Sequence, residues 1–246
     1  MIFRSLEHFG ELGKYASSYT SQLGEDGILE EIFRRLNIEK GWFVELGAND
    51  GVYLSNTRKL YEKGWQGVYI EGCPDYFNKL THNCGAAHNF LGFVSCEQGC
   101  MLDDYLDKTE IPDDFDLLSL DIDSNDYWVL KSLKRKPKVV IVEYNSNFHS
   151  YEQKSIAYDP NFRFAVTNYY GASCGAFNQL MEQRGYTMVC CTNTLNLIFV
   201  RNDLMNDFTK VDTGYIPYVC TFTPDGKSMV SVNCEGDADD KPEAVQ

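Results

Sequence analysis

The sequence predicts an α/β domain: a mostly parallel sheet with helices on both faces. Two observations carry this. Short apolar runs alternate with segments of helical periodicity from residue 22 to residue 200, the order that parallel sheets with crossover helices require. The first run, Trp42-Phe-Val-Glu-Leu46, opens into a glycine-bearing turn, Gly47-Ala-Asn-Asp-Gly51. With 43% hydrophobic residues in 246, the chain can bury a substantial core.

The elements follow in order. Within 22–36, Ile28, Leu29, Ile32, Phe33 and Leu36 fall at helical spacing, with acids early and arginines late. The buried strand 42–46 feeds the glycine turn. A helix is expected over 54–63, closed by Gly64. Strand 67–71, a short helix over 75–82, strand 89–95 and a small helix over 102–106 come next. Strand 115–121, helix 127–133 and strand 138–144 follow. Residues 146–168 are polar, aromatic and irregular, a candidate lid. Helix 172–184 ends at Gly185, and strands 186–191 and 195–200 are joined by Thr-Asn-Thr as a hairpin. That hairpin adds one antiparallel strand to the sheet. The domain is expected over 1–232, and the acidic, aromatic-free stretch 233–246 as a disordered tail.

The net charge of −14 repels phosphate backbones and anionic lipid, which argues against nucleic acid and membrane surfaces as partners. No apolar run approaches the ~18–20 residues that span a bilayer, and no signal-type stretch opens the chain, so a cytoplasmic protein is expected. The nine cysteines include no CxxC pair and read as reduced thiols rather than a disulfide framework or zinc site.

Ligands of such sheets lie at the carboxyl ends of the strands, where strand order reverses. There the first strand carries Glu45-x-Gly47-x-x-x-Gly51, with Ala48, Asn49 and Asp50 between the glycines. The glycines permit a tight turn and close approach to a ligand, and Glu45 suits a cation such as a ligand's ammonium group. The second strand ends in Glu71, followed by Gly72 and Cys73. An acid in that place accepts hydrogen bonds from both hydroxyls of a ribose. Ser55 and Asn56, with Thr57, open the next helix, where free N–H groups suit a carboxylate. A base contact should follow the third strand, near Ser95 and Cys96.

Phe43-Val-Glu-Leu-Gly-Ala-Asn-Asp-Gly51 and Val68-Tyr-Ile-Glu-Gly-Cys-Pro74 resemble the first two motifs of the class I S-adenosylmethionine (SAM) methyltransferases, within them the FkbM-type branch. Asp116-Leu-Leu-Ser-Leu-Asp-Ile-Asp123 and Val139-Val-Ile-Val-Glu143 resemble its fourth and fifth strands. Ser21-Gln-Leu-Gly-Glu-Asp-Gly27 and Tyr170-Gly-Ala-Ser173 look like features of a poorly characterised subgroup. The resemblance covers roughly 17–202. It implies a Rossmann-like three-layer sandwich with a seven-stranded sheet, SAM as methyl donor, and a hydroxyl acceptor, often on a sugar. The branch usually has Gly where this chain has Ser124, which bears on that turn and on any transfer of catalytic roles.

An alkyl hydroxyl is a poor nucleophile, so methylating one needs a base or a metal. Asp121 and Asp123 end strand four; Glu143 and Asn145 end strand five. Three readings stand side by side. Asp121, Glu143 and Asn145 hold Mg²⁺, a hard cation; Asp121 or His149 is a metal-free base; or the acids only cap helices and orient loops. Glu25 and Asp26 read as helix-start acids, or else as ligand contacts. The aromatics of 148–170 read as lid packing or as a stacking surface for a sugar ring. His8, His82 and His88 have no such context. The leading function is an O-methyltransferase acting on a small-molecule or glycan acceptor; the alternative is a non-catalytic SAM-binding module. Oligomeric state is not encoded in these patterns.

Overall fold

The computed structural model describes residues 9–216, 218–219 and 227–232. His8, Cys220, Cys234 and the acidic tail lie outside these. A Rossmann-like seven-stranded sheet runs through the molecule. Its strands are β1 (Trp42–Leu46), β2 (Gln66–Glu71), β3 (His88–Leu91), β4 (Leu117–Leu120), β5 (Val139–Glu143), β7 (Tyr186–Thr192) and β8 (Asn196–Arg201). A separate pair joins β6 (Lys154–Ser155) to β9 (Val230–Ser231). The sheet order is β3-β2-β1-β4-β5-β8-β7, parallel except for β8, which is antiparallel to both neighbours.

The helices are α1 (Glu25–Arg35), α2 (Arg58–Glu62), α3 (Pro74–Asn83), α4 (Leu102–Leu106), α5 (Asp126–Ser132) and α6 (Cys174–Gln183). Period-two alternation of the strands sorts the core into two layers. Phe43, Tyr69, Leu117, Ile141 and Ile198 pack with Ile28, Ile32 and Phe33 of α1, Leu60 of α2 and Leu80 of α3. Val44, Ile70, Leu118, Val142 and Phe199 pack on the other side with α4, α5 and α6. Among the described residues no helix is long and apolar enough to cross a membrane. The seven described cysteines are unpaired.

Most expected elements form within a few residues of their predicted ends. The helix expected over 54–63 is cut to Arg58–Glu62. Side-chain oxygens take the amides that would have extended it: Asn56 N–H donates to Glu45, and Thr57 and Arg58 N–H donate to Ser55 Oγ. Strand 89–95 ends early, at Leu91, and Gly92 N–H then returns to Glu71 O. The candidate lid is anchored rather than loose. Its β6 pairs with β9, Val219 N–H donates to Ser146 O, and Val232 N–H donates to Gln153 O. A 3₁₀ turn (Glu11–Tyr15) and a bridge from Phe9 to Cys191 are additions that local periodicity does not signal.

Candidate functional site

Strand order reverses between β1 and β4, and two cavities lie over the carboxyl ends there. The first, about 310 Å³, is lined by Ile70, Glu71, Gly72, Phe93, Val94 and, from the lid, Phe164 among others. The second, about 350 Å³, is lined by Glu45, Glu71, Asp121 and Asp123, with Ser119 and Tyr53 among its other walls. Leu46, Gly47, Glu71, Cys73 and Ile122 belong to both, so they form one crevice in two halves. The first half is mostly apolar; the second is acidic, with no Lys or Arg in its wall.

The glycine turn lines the crevice and is also packed tightly against protein. Gly47 has φ 72, and a Cβ there would lie 1.7 Å from Asp121 O. Gly51 has φ 74, and its Cβ would meet Cys84 Sγ at 2.6 Å and Leu80 Cδ1 at 2.7 Å. Gly47 thus brings the β1 turn against the end of β4, and Gly51 seats the turn on α3. Asp50 lines neither cavity and accepts from Val52 N–H and Tyr53 N–H. Ala48 and Asn49 do reach the second cavity.

Glu45 is buried and already partnered. It accepts from Ser55 Oγ (2.7 Å), Thr57 Oγ1 (2.8 Å) and Asn56 N–H (2.9 Å). The helix start expected to receive a ligand carboxylate therefore receives the chain's own. Burial pushes the Glu45 carboxyl up, and these three bonds oppose the shift. Glu71 also carries protein bonds, from Asn49 N–H (2.8 Å) and Cys73 N–H (2.6 Å). A carboxylate accepts at about four lone-pair positions, so two remain for a ligand at the junction of the two cavities.

Asp121, Asp123 and Glu143 converge, with one oxygen of each within 4.8 Å of the others. Burial raises all three proton affinities, and mutual repulsion raises those of Asp121 and Glu143 further. Asp121 keeps some solvent contact through the cavity, yet protein surrounds its carboxylate, and the enclosure sets its proton affinity. Asp126, not singled out from sequence, clamps this loop by accepting from Ile122 N–H and Ser124 N–H, both at 2.8 Å. Burial moves its own carboxyl up to about 6. The left-handed residue of the turn is Asp123 (φ 53), not Ser124, so serine is accommodated without strain.

Three groups of expected site residues are engaged elsewhere in the fold. Asn145 is engaged by the chain itself: its Nδ2 donates to Asn168 O and Tyr170 O, and its Oδ1 accepts from Asn147. Asp123 is the third carboxylate converging with Asp121 and Glu143. His149 lines neither cavity; it is exposed, stacked on Tyr151 (5.1 Å) and tilted against Tyr218 (4.1 Å). Ser95 and Cys96 do not line the crevice. Ser95 Oγ accepts from Glu97 N–H, Cys96 N–H donates to Tyr158 Oη, and Phe93 and Val94 form the wall instead.

Glu25 and Asp26 tie elements together. Glu25 accepts from Thr192 and Asn196 of the hairpin, and Asp26 Oδ2 accepts three successive amides, Tyr19, Thr20 and Ser21. The lid aromatics pair largely with one another, Phe162 with Tyr169 and Phe164 with Tyr170. Asn125 holds the roof by exchanging bonds with Asp159, and Arg163 stacks 3.8 Å over Phe93. These roof and wall residues escaped sequence reasoning because they meet the crevice only through the fold.

No protein-family model matches the chain, and no curated protein matches it. Solved structures with a similar chain path include the N-terminal domain of EvdMO1 with SAH bound (11% identity, 78% of this chain and 84% of that one, TM-score 0.44). Another is the 1,6-didemethyltoxoflavin-N1-methyltransferase of Burkholderia thailandensis (11%, 74% and 80%, 0.45). CalS10, an amino pentose methyltransferase of Micromonospora echinaspora, is a third (9%, 72% and 89%, 0.42). Such values assign no role to any residue here.

Proposed function

We propose that the crevice takes SAM and that the chain methylates a hydroxyl of a small acceptor. The observation that carries this reading is the two-part crevice over β1, β2 and β4 with Glu71 at its junction. Its residues fit the group chemically. The apolar half around Ile70, Phe93 and Val94 suits a purine. The free lone pairs of Glu71 suit a ribose diol, and the acidic half suits a sulfonium and an ammonium. When bound, SAM supplies an electrophilic methyl group. The motif resemblance of 43–51 and 68–74 supports the same assignment.

The chain's own part is to orient the acceptor, exclude water and take a proton. Asp121 faces the cavity and contacts Glu143, so this pair is the proton acceptor as the hydroxyl oxygen bonds to carbon. The roof of 158–164 shields the first half from water. A divalent cation such as Mg²⁺ on Asp121, Asp123 and Glu143 is a second reading, favoured by the closeness of the three oxygens.

Calorimetric titration with S-adenosylhomocysteine (SAH), followed by labelled-methyl transfer to an acceptor panel, tests the function. SAH binding with methyl transfer that Asp121→Asn abolishes is expected. SAH binding with no product from any acceptor would favour a non-catalytic module, and no SAH binding would end the reading. Undiminished activity in EDTA would remove the cation.

A further inference from the structure

The mouth of the second cavity carries side chains that a cofactor pocket alone does not explain. Tyr53, Leu54 and Tyr76 line it while remaining 64%, 42% and 42% exposed. The floor differs: Glu45, Ser55, Asn56 and Ser119 there are buried. Leu54 is unfavourable twice over. Its φ of 58 lies in the left-handed region, which is strained for a residue with a Cβ. Its side chain belongs to neither core layer, so burial does not offset that cost. Strain of this kind collects at ligand-contacting positions. Among the described residues, the phenol oxygens of Tyr53 and Tyr76 have no hydrogen-bond partner, and Lys79 Nζ lies over one face of the Tyr76 ring, 5.4 Å from its centroid.

We propose that Tyr53, Leu54 and Tyr76 form the acceptor-recognition rim, and that the acceptor is an uncharged hydroxyl compound with an apolar face. The proposal rests on the SAM reading of the crevice. The apolar face lies on Leu54 and the tyrosine rings, and the hydroxyl points inward to Asp121 and Glu143. The charge requirement comes from the wall. Glu45, Glu71, Asp121 and Asp123 line the cavity and no Lys or Arg does. A phosphorylated or carboxylated acceptor would be desolvated against carboxylates, a built-in rejection. Lys79 is outside that wall, on the ring of Tyr76.

The test uses the full chain saturated with SAH and three probes: phenyl β-D-glucoside, D-glucose and phenyl phosphate. A failure of SAH to bind is read first and strikes the cofactor reading alone. With SAH bound, phenyl glucoside should bind about five-fold or more tighter than glucose, the scale of one apolar contact, and phenyl phosphate should not bind. Leu54→Gly should melt no lower than the parent, since glycine accepts the left-handed backbone, yet bind phenyl glucoside about five-fold more weakly. Tyr76→Ala should weaken that probe by a larger factor than it weakens SAH. Phenyl phosphate binding as tightly as the glucoside would overturn the proposal. So would equal binding of all three probes, or none, or a Leu54→Gly protein that loses stability while keeping probe affinity.

Discussion

Replacing Gly47 with alanine tests the geometry that joins β1 to β4. A Cβ built there lies 1.7 Å from the backbone oxygen of Asp121 and 2.9 Å from its carbonyl carbon. Ordinary contact needs more than 3 Å, so one backbone must move by over an ångström. Neither is free. Gly47 N–H is bonded to Ile70 O at 3.1 Å, and Asp121 N–H to Leu46 O at 3.3 Å. The left-handed φ of 72 adds roughly 1–2 kcal/mol for any Cβ, and overpacking against backbone about 1–3 kcal/mol more. A loss of about 2–5 kcal/mol is expected in urea unfolding. Asp121 would be displaced with its carbonyl, so SAH affinity should fall beyond detection in calorimetry. Gly51→Ala is the control. Its φ is similar, but its Cβ meets side-chain ends, Cys84 Sγ and Leu80 Cδ1, which can turn aside. That variant should lose less stability and keep measurable SAH binding. A Gly47→Ala protein within 1 kcal/mol of the parent, binding SAH normally, would refute the reasoning.

Two more predictions follow from particular bonds. Glu71→Ala removes the acceptor of Asn49 and Cys73 N–H and frees that junction; SAH affinity should weaken by about 1.5–3 kcal/mol, read by calorimetry, and unchanged affinity would remove Glu71 from the site. Glu31 is held at about 2 by its hydrogen bonds to Arg34 and Arg35. Its folded value is depressed, so its stabilisation is complete above its ordinary value near 4.5 and disappears as pH falls through about 2. The residue is buried by solvent contact while its partner Arg34 is 70% exposed, so screening limits the contribution to about 1 kcal/mol. Glu31→Gln should lose that amount at neutral pH, and the two unfolding curves should converge near pH 2; a constant gap down to that pH would contradict the assignment.

What was legible in the sequence was whatever depends on neighbours along the chain. Strands such as Val139–Glu143 and helices such as α4 are local patterns, and the turn after Leu46 marks its place by glycines. The surroundings of residues that meet distant partners were not legible. Asn145 has the chemistry of a ligand, but its amide is spent on carbonyls 23 and 25 residues away. His149 has the chemistry of a base but packs tilted against Tyr218, far along the chain. The apolar wall at Phe93 could be found only once β3 was known to stop at Leu91 and let the chain turn back over Gly72.

The role of Glu45 decides the sign of the site. A helix start with free amides attracts anions, and the same sequence with an unpartnered Glu45 would pair an anion-binding end with a cation-binding one. Here the two features cancel: Glu45 accepts from Asn56 N–H and from the hydroxyls of Ser55 and Thr57. What is left facing the second cavity is Asp121, Asp123 and the spare capacity of Glu71, with no Lys or Arg in the wall. Enclosure raises the proton affinity of the three acids at β4 and β5, and repulsion raises those of Asp121 and Glu143 further, so a cation is the group that relieves the cost of ionising them together. A positive group placed there gains from every one of them, and an anion gains from none. Such a wall favours the cationic donor and the neutral acceptor proposed above, through the enclosure of its carboxylates.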